Sequence, residues 1–267
     1  MTRTTPPRPL DVAAVFPELG AHTTTATRLH PRPGAPAVTD SSIGGPLLWP
    51  AGEPWPVCDA DDHDDPVPLP TPMIPVAQVY RHDAPDFAGP PGTDVLQVLW
   101  CPLDHLDEGY NPLVRVFWRR AADVTRVLAE PPSPAEVHEE YVPAPCVVHP
   151  ERVREYDYIG SLPGDLAARV RERFGSRYQY DLSLAPGWKL GGFANWSLTD
   201  PLPMDCEACG APMTLLFTAA SSEGPASWQP VEDAPVTPTG VVIGRGYSLY
   251  VFGCPASFEH PVATAMQ

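Results

Sequence analysis

Two stretches of this chain share one frame of glycine, tryptophan, proline and cysteine, and that frame limits the fold more than any other feature. GGPLLWPAGEPWPVC runs from Gly44 to Cys58, and GGFANWSLTDPLPMDC runs from Gly191 to Cys206. Aligned without gaps, Gly44, Gly45, Trp49, Pro54 and Pro56 match Gly191, Gly192, Trp196, Pro201 and Pro203, and the cysteine follows with a slip of one residue. With seven tryptophans in 267 residues, chance agreement of this kind is rare. The spacing implies an internal duplication of a unit of roughly 75 residues, longer than a solenoid repeat. We place the pseudo-repeats at residues 44–120 and 189–262, inside a single domain spanning residues 1–267.

Metal-ligand types recur in the same frame. In the second copy Cys206 and Cys209 form C-x2-C-G, and Cys254 and His260 close the set as C-P-x4-H. Between them lie the apolar runs PMTLLFTAA and YSLYVFG. A thiolate knuckle, a strand out, a strand back and a second knuckle is the order of a zinc ribbon, and zinc takes four ligands tetrahedrally. The first copy offers Cys58 with His63 and Cys101 with His105, around PMIPVAQVY and DVLQVLWC. Its spacings are looser, and position in the shared frame is what recommends it; a lapsed site with buried thiols is the competing reading. A redox C-x-x-C fits less well, because that motif opens a helix in a βαβ setting, and CEACGAPMTLLF runs into a strand-like segment. Both sets have four protein ligands, which fits structural zinc, whereas a catalytic zinc keeps a position for water.

Composition narrows the function classes. The net charge of −16 opposes binding to nucleic acid or anionic membranes and favours a basic protein partner. Thirty-eight prolines predict short strands, irregular connections and few long helices. No apolar run reaches the ~18 residues of a membrane span, and MTRTTPPRPLDV lacks the apolar core of a signal peptide. A cytoplasmic location follows as an expectation, and there the six cysteines read as metal ligands and free thiols better than as disulfides.

Along the chain, residues 1–9 read as a loose tail and residues 11–19 as a short helix. Leu166, Val170 and Phe174 share one helical face, with Asp165 as N-cap and Gly175 as the stop. RYQYDLSL, residues 177–184, and the start of TRVLAEPPSPAE at residue 125 read as strands. The acidic loop DADDHDD lacks the glycine and distal glutamate of a calcium loop and reads as solvated, with one ligand histidine. GRG, residues 244–246, reads as a hairpin bend, and Cys146 as a buried thiol. The fold class expected is β-dominated α+β, with zinc-ribbon-like knuckles in each copy. No nucleophile elbow, P-loop, HExxH or dinucleotide fingerprint occurs.

The segments GGPLLWPAGEPWP, PVAQVYRHD, KLGGFANW, APMTLLFTAASS and SLYVFGCP resemble the YwqG-like proteins, a bacterial family of unknown function. The resemblance implies an α+β fold with internal duplication and carries over no catalytic residue. Some relatives look like immunity proteins of toxin systems. The sequence therefore leads to a non-enzymatic, zinc-stapled cytoplasmic binding protein, with toxin neutralisation as one concrete form. The alternative is a hydrolase or other enzyme acting in a groove between the two repeats.

Overall fold

The computed structural model describes residues 4–85, 89–232 and 235–267. A four-residue helix α1 (Val12–Val15) opens the chain, N-capped by the Asp11 carboxylate on the Ala13 N–H, and a 3₁₀ turn follows from Pro17. The first half then contributes β1 (Thr23–Arg28), β2 (Arg32–Pro33), β3 (Ser42–Ile43), β4 (Val57–Cys58) and β5 (Thr71–Pro72). It ends with β6 (Ile74–Tyr80), β7 (Val95–Trp100) and β8 (Val114–Arg119). The second half contributes β9 (Cys146–Val147), β10 (Glu151–Tyr156), helix α2 (Gly164–Phe174) and β11 (Lys189–Gly191). It closes with β12 (Thr214–Ala220), β13 (Ser248–Gly253) and β14 (Ala263–Met266). Strands dominate and the sheets are antiparallel, in keeping with the proline-rich composition.

Twelve of the strands form two six-stranded sheets with the same internal plan, and β4 and β5 form a separate two-stranded hairpin. One runs β2-β9-β3-β6-β7-β8 and the other β10-β1-β11-β12-β13-β14. Each sheet is thus a four-strand meander from one half of the chain, followed by a strand from the other half and then an outer strand (β2 or β10) from its own half. The local detail repeats as well. The β6–β7 ladder carries an irregularity between Pro75 and Ala77, and the β12–β13 ladder carries one between Leu215 and Phe217. Ahead of each, a methionine N–H closes a small hairpin: Met73 donates to Pro56 O at 3.0 Å and Met213 to Met204 O at 2.7 Å.

Both glycine pairs have positive φ, at 76° and 81° for Gly44 and Gly45 and 64° and 81° for Gly191 and Gly192. L-residues rarely hold that conformation. Space forbids a side chain too. A Cβ on Gly44 would stand 2.7 Å from Pro143 O, and one on Gly192 would overlap the Glu155 carboxylate.

Between the sheets lies the main core, with Val76, Val98 and Trp100 from one side and Phe217, Leu249 and Val251 from the other. A second cluster seats α2 through Leu166, Val170 and Phe174 against Leu19 and Tyr178. That apolar face is the one periodicity predicts, and Gly175 ends the helix at φ 56°. The cap is different: helix α2 begins at Gly164 after Pro163, and Asp165 lies in its first turn without capping it.

Three further expectations are corrected. Tyr178–Ser183 form one π-helical turn instead of a strand: Tyr178 and Leu182 are buried in the α2 cluster while Tyr180 between them is exposed, whereas a strand would put all three on one face. Residues 125–128 make only an isolated bridge, Val127 to Pro50. The tail is not loose from residue 4 onward, since Thr5 is buried and its N–H and hydroxyl donate to Glu151; residues 1–3 lie outside the described residues. Cys146 is fully buried, as read from sequence, and residues 243–247 form the expected tight turn.

Candidate metal centres and the groove between the sheets

Each meander ends in a knuckle of cysteine and histidine. In the first, Cys58 leaves β4, His63 comes from the acidic loop, and Cys101 and His105 follow β7. The Cys58 sulfur lies 3.6 Å from His63 Nε2 and 3.7 Å from His105 Nε2, and the Cys101 sulfur lies 3.4 Å from His63 Nε2. In the second, His260 Nδ1 lies 3.4 Å from the Cys206 sulfur and 3.3 Å from that of Cys254, and the Cys209 and Cys254 sulfurs are 3.6 Å apart. All four ligand atoms of each set fall within 4.8 Å of one another. Tetrahedral zinc, with bonds of about 2.3 Å to sulfur and 2.0 Å to nitrogen, separates its ligand atoms by roughly 3.3–3.8 Å. The three distances quoted for each set lie in that range. A disulfide, at about 2.05 Å, is excluded for Cys209 and Cys254.

The two sets sit at similar places in their sheets. Cys58 faces Thr71 across the β4–β5 hairpin, and Cys206 donates its N–H to Ala211 O across the matching turn. Cys101 and Cys254 each follow the returning strand and precede a proline. His63 occupies the role of Cys209, reached by a longer loop. Main-chain N–H groups two residues on point at the sulfurs: Ala60 at Cys58, Leu103 at Cys101, Ala211 at Cys209 and Ala256 at Cys254. Such donors stabilise thiolates, the form a metal requires.

The electrostatics of the first set show a place for positive charge. A hydrogen bond with Cys101 leads the effects that hold the Cys58 thiol down at about 4, opposed by burial and helped by His105 and the Ala60 N–H. The same contact, with burial, pushes the Cys101 thiol up. Against the burial of its ring, Cys58 and Asp62 raise His105. The two shifts favour negative charge on the Cys58 sulfur and positive charge on the His105 ring. Asp62 accepts from His105 Nδ1 at 2.8 Å and from the Asp107 N–H at 3.0 Å, which leaves Nε2 free to ligate. In the second set Cys254 is lowered to about 6, since His260 and the Ser257 and Ala256 N–H groups outweigh burial.

A groove of ≈ 840 Å³ opens between the sheets beside the second set. β8 borders one side, the face of β1, β11 and β12 another, and the loop from Cys254 to His260 a third. Phe258 of that loop rests edge-on against Trp118 of β8, with ring centroids 5.4 Å apart. The metal loop thus connects the two sheets as well as its own strands. Apart from Cys254 and His260, the titratable residues in this lining are Glu108, Arg115 and Glu259.

Sequence reading missed a buried ionic network where the halves cross. Lys189, the only lysine, is buried and bonds Glu155 at 2.6 Å. Glu155 also accepts from the Ala185 and Phe193 N–H groups. Arg28, also buried, donates to Trp228 O at 2.8 Å and Thr5 Oγ1 at 2.9 Å and stands 3.5 Å from Glu223. Burial raises Glu223 and lowers Lys189 and Arg28. Charged residues are seldom fully buried, so composition gives little warning of such a network; the solitary lysine in KLGG was the available signal.

No protein-family model matches the chain, and no match was found among curated proteins. No helix among the described residues is long and apolar enough to cross a membrane.

Proposed function

We propose that this chain is a non-enzymatic binding protein whose two β-meanders are each closed by a structural zinc ion. One observation carries the reading: two separate Cys/His sets, at similar ends of similarly ordered sheets, both with four ligand atoms within 4.8 Å of one another. Cys206, Cys209, Cys254 and His260 hold one zinc, and Cys58, His63, Cys101 and His105 the other. Four protein ligands leave no coordination position for water, so the ions act as staples.

The halves arose by duplication, and the support extends beyond the glycine frame. Arg28 pairs with Lys189, two residues before Gly191, and Val147 pairs with Ser42, two residues before Gly44. Arg28 thereby corresponds to Val147, and two residues later both strands read His-Pro, at His30-Pro31 and His149-Pro150. The repeated unit includes the crossing strands, so it is longer than residues 44–120 and 189–262. The resemblance to YwqG-like proteins fits this architecture. A net charge of −16 suits a basic protein partner, of which a toxin neutralised in the cytoplasm is one form.

Cobalt substitution tests the closed sites. Cobalt-loaded protein should show the absorption of tetrahedral thiolate centres, unchanged by azide or cyanide. A spectrum that shifts on adding these anions would reveal an open coordination position and favour an enzyme acting in the groove.

A further inference from the structure

Main-chain hydrogen-bonding groups left uncovered at a sheet edge are where a protein recruits another extended chain. β8 is the last strand of its sheet, and among the described residues no strand pairs with its outer edge. The Cys101 N–H donates to Leu113 O at 2.9 Å, and the Asp94 N–H donates to Arg119 O at 2.8 Å. Odd-numbered residues of this stretch therefore direct their main-chain groups to β7. The direction alternates along an antiparallel strand, so Val114 and Val116 turn their N–H and C=O groups outward.

That edge borders the groove. Leu113–Trp118 all contribute to the lining without a break. Neighbouring side chains on a strand point to opposite faces, so an unbroken run means that the strand presents its edge to the cavity. The six residues of β8 span about 20 Å at ~3.3 Å each. Across the gap stand apolar side chains such as Leu216 and Val262. Glu108 and Glu259 are exposed in the lining, while the cation there, Arg115, stands 3.9 Å from Asp59.

We propose that the groove binds an extended segment of a partner protein as an added strand along β8. The segment alternates apolar side chains, packed toward Leu216 and Val262, with basic ones directed at Glu108 and Glu259. This rests on the reading of the chain as a binding protein and assigns the surface it uses. The main chain supplies register and much of the affinity, and the carboxylates select for positive charge.

The test uses metal-replete, full-length protein and a fluorescein-labelled octapeptide of alternating valine and arginine. Its counterpart with glutamate in place of arginine is the control. Saturable binding of the basic peptide only, slowed amide exchange at Val114 and Val116, and at least tenfold weaker binding by Val116→Pro are expected. Proline at 116 removes an outward donor, which edge strands tolerate, and a valine side chain that packs against the main core, so metal content checks that the variant folds. Glu108→Gln with Glu259→Gln, which leaves the backbone untouched, should weaken binding several-fold and flatten its salt dependence. No saturable binding to protein that holds two zinc ions would overturn the assignment while leaving the zinc-stapled reading in place. Equal binding by Val116→Pro would reduce it to charge adhesion, and a dimer closed through β8 in sedimentation would give the edge to a second copy of the chain.

Discussion

His30 stands at the point where the chain leaves β1 for β2, and therefore passes from one sheet to the other. Its φ of 44° lies in the left-handed region, which histidine enters more readily than bulkier residues. Its ring is buried, with Nε2 2.9 Å from Glu151 and Nδ1 4.0 Å from Glu223. Burial and the neighbouring Arg28 outweigh Glu151 and lower its pKa to about 4, so the ring is neutral at pH 7. The unfolded chain takes up a proton near 6.5 and the folded one does not until about 4, so between these values the unfolded state binds more protons. Stability therefore falls as the pH is lowered through that window, by roughly 2 kcal/mol between pH 7 and pH 5 from this group. Urea unfolding at the two pH values should show the loss, and His30→Gln should remove most of it. An unchanged difference in the variant would mean that His30 is not the group responsible.

At the scale of elements, what the sequence discloses follows from how local the cause is. The two Cys/His clusters were legible because short spacings, Cys206 to Cys209 and Cys254 to His260, survive in one dimension. The strands between them were legible through apolar runs, and α2 through its 3.6-residue period. Tyr178–Ser183 were not, because RYQYDLSL alternates polar and apolar residues as a strand does, and only packing into the α2 cluster reveals the turn. Nor was the pairing of β1 with β11 or β9 with β3, which only the crossed assembly reveals. The acidic loop between β4 and β5 holds a finer prediction. Asp62 orients His105 and shares no bond with the second set. Asp62→Asn should weaken zinc at the first site by about 10–100-fold, the usual effect of losing a carboxylate behind a ligand histidine. A chelator titration would read two affinities in the variant, with the site containing Cys206 unaltered; equal weakening of both sites would mean that the mutation acts through global stability.

For the whole molecule, the crossed strands decide cooperativity. Each sheet takes a strand from the opposite half, and the largest core cluster draws side chains from both. Neither half can complete its sheet alone, and each would expose an apolar face on separation. Thermal or urea unfolding should be one transition seen alike by tryptophan fluorescence and circular dichroism. Fragments 1–125 and 126–267 should be insoluble or unfolded apart and should assemble when produced together. Two resolved transitions, or a folded single fragment, would show that the halves are independent domains. The proposed zinc ions would belong to the same picture, each tying together the cysteines and histidines of one meander. The account stands most directly on metal content. Elemental analysis of purified protein should give two zinc ions per chain, with Cys58→Ser and Cys206→Ser each removing one. One zinc per chain, lost with Cys206→Ser and untouched by Cys58→Ser, would contradict a metal at the first site, and none at all would contradict the account.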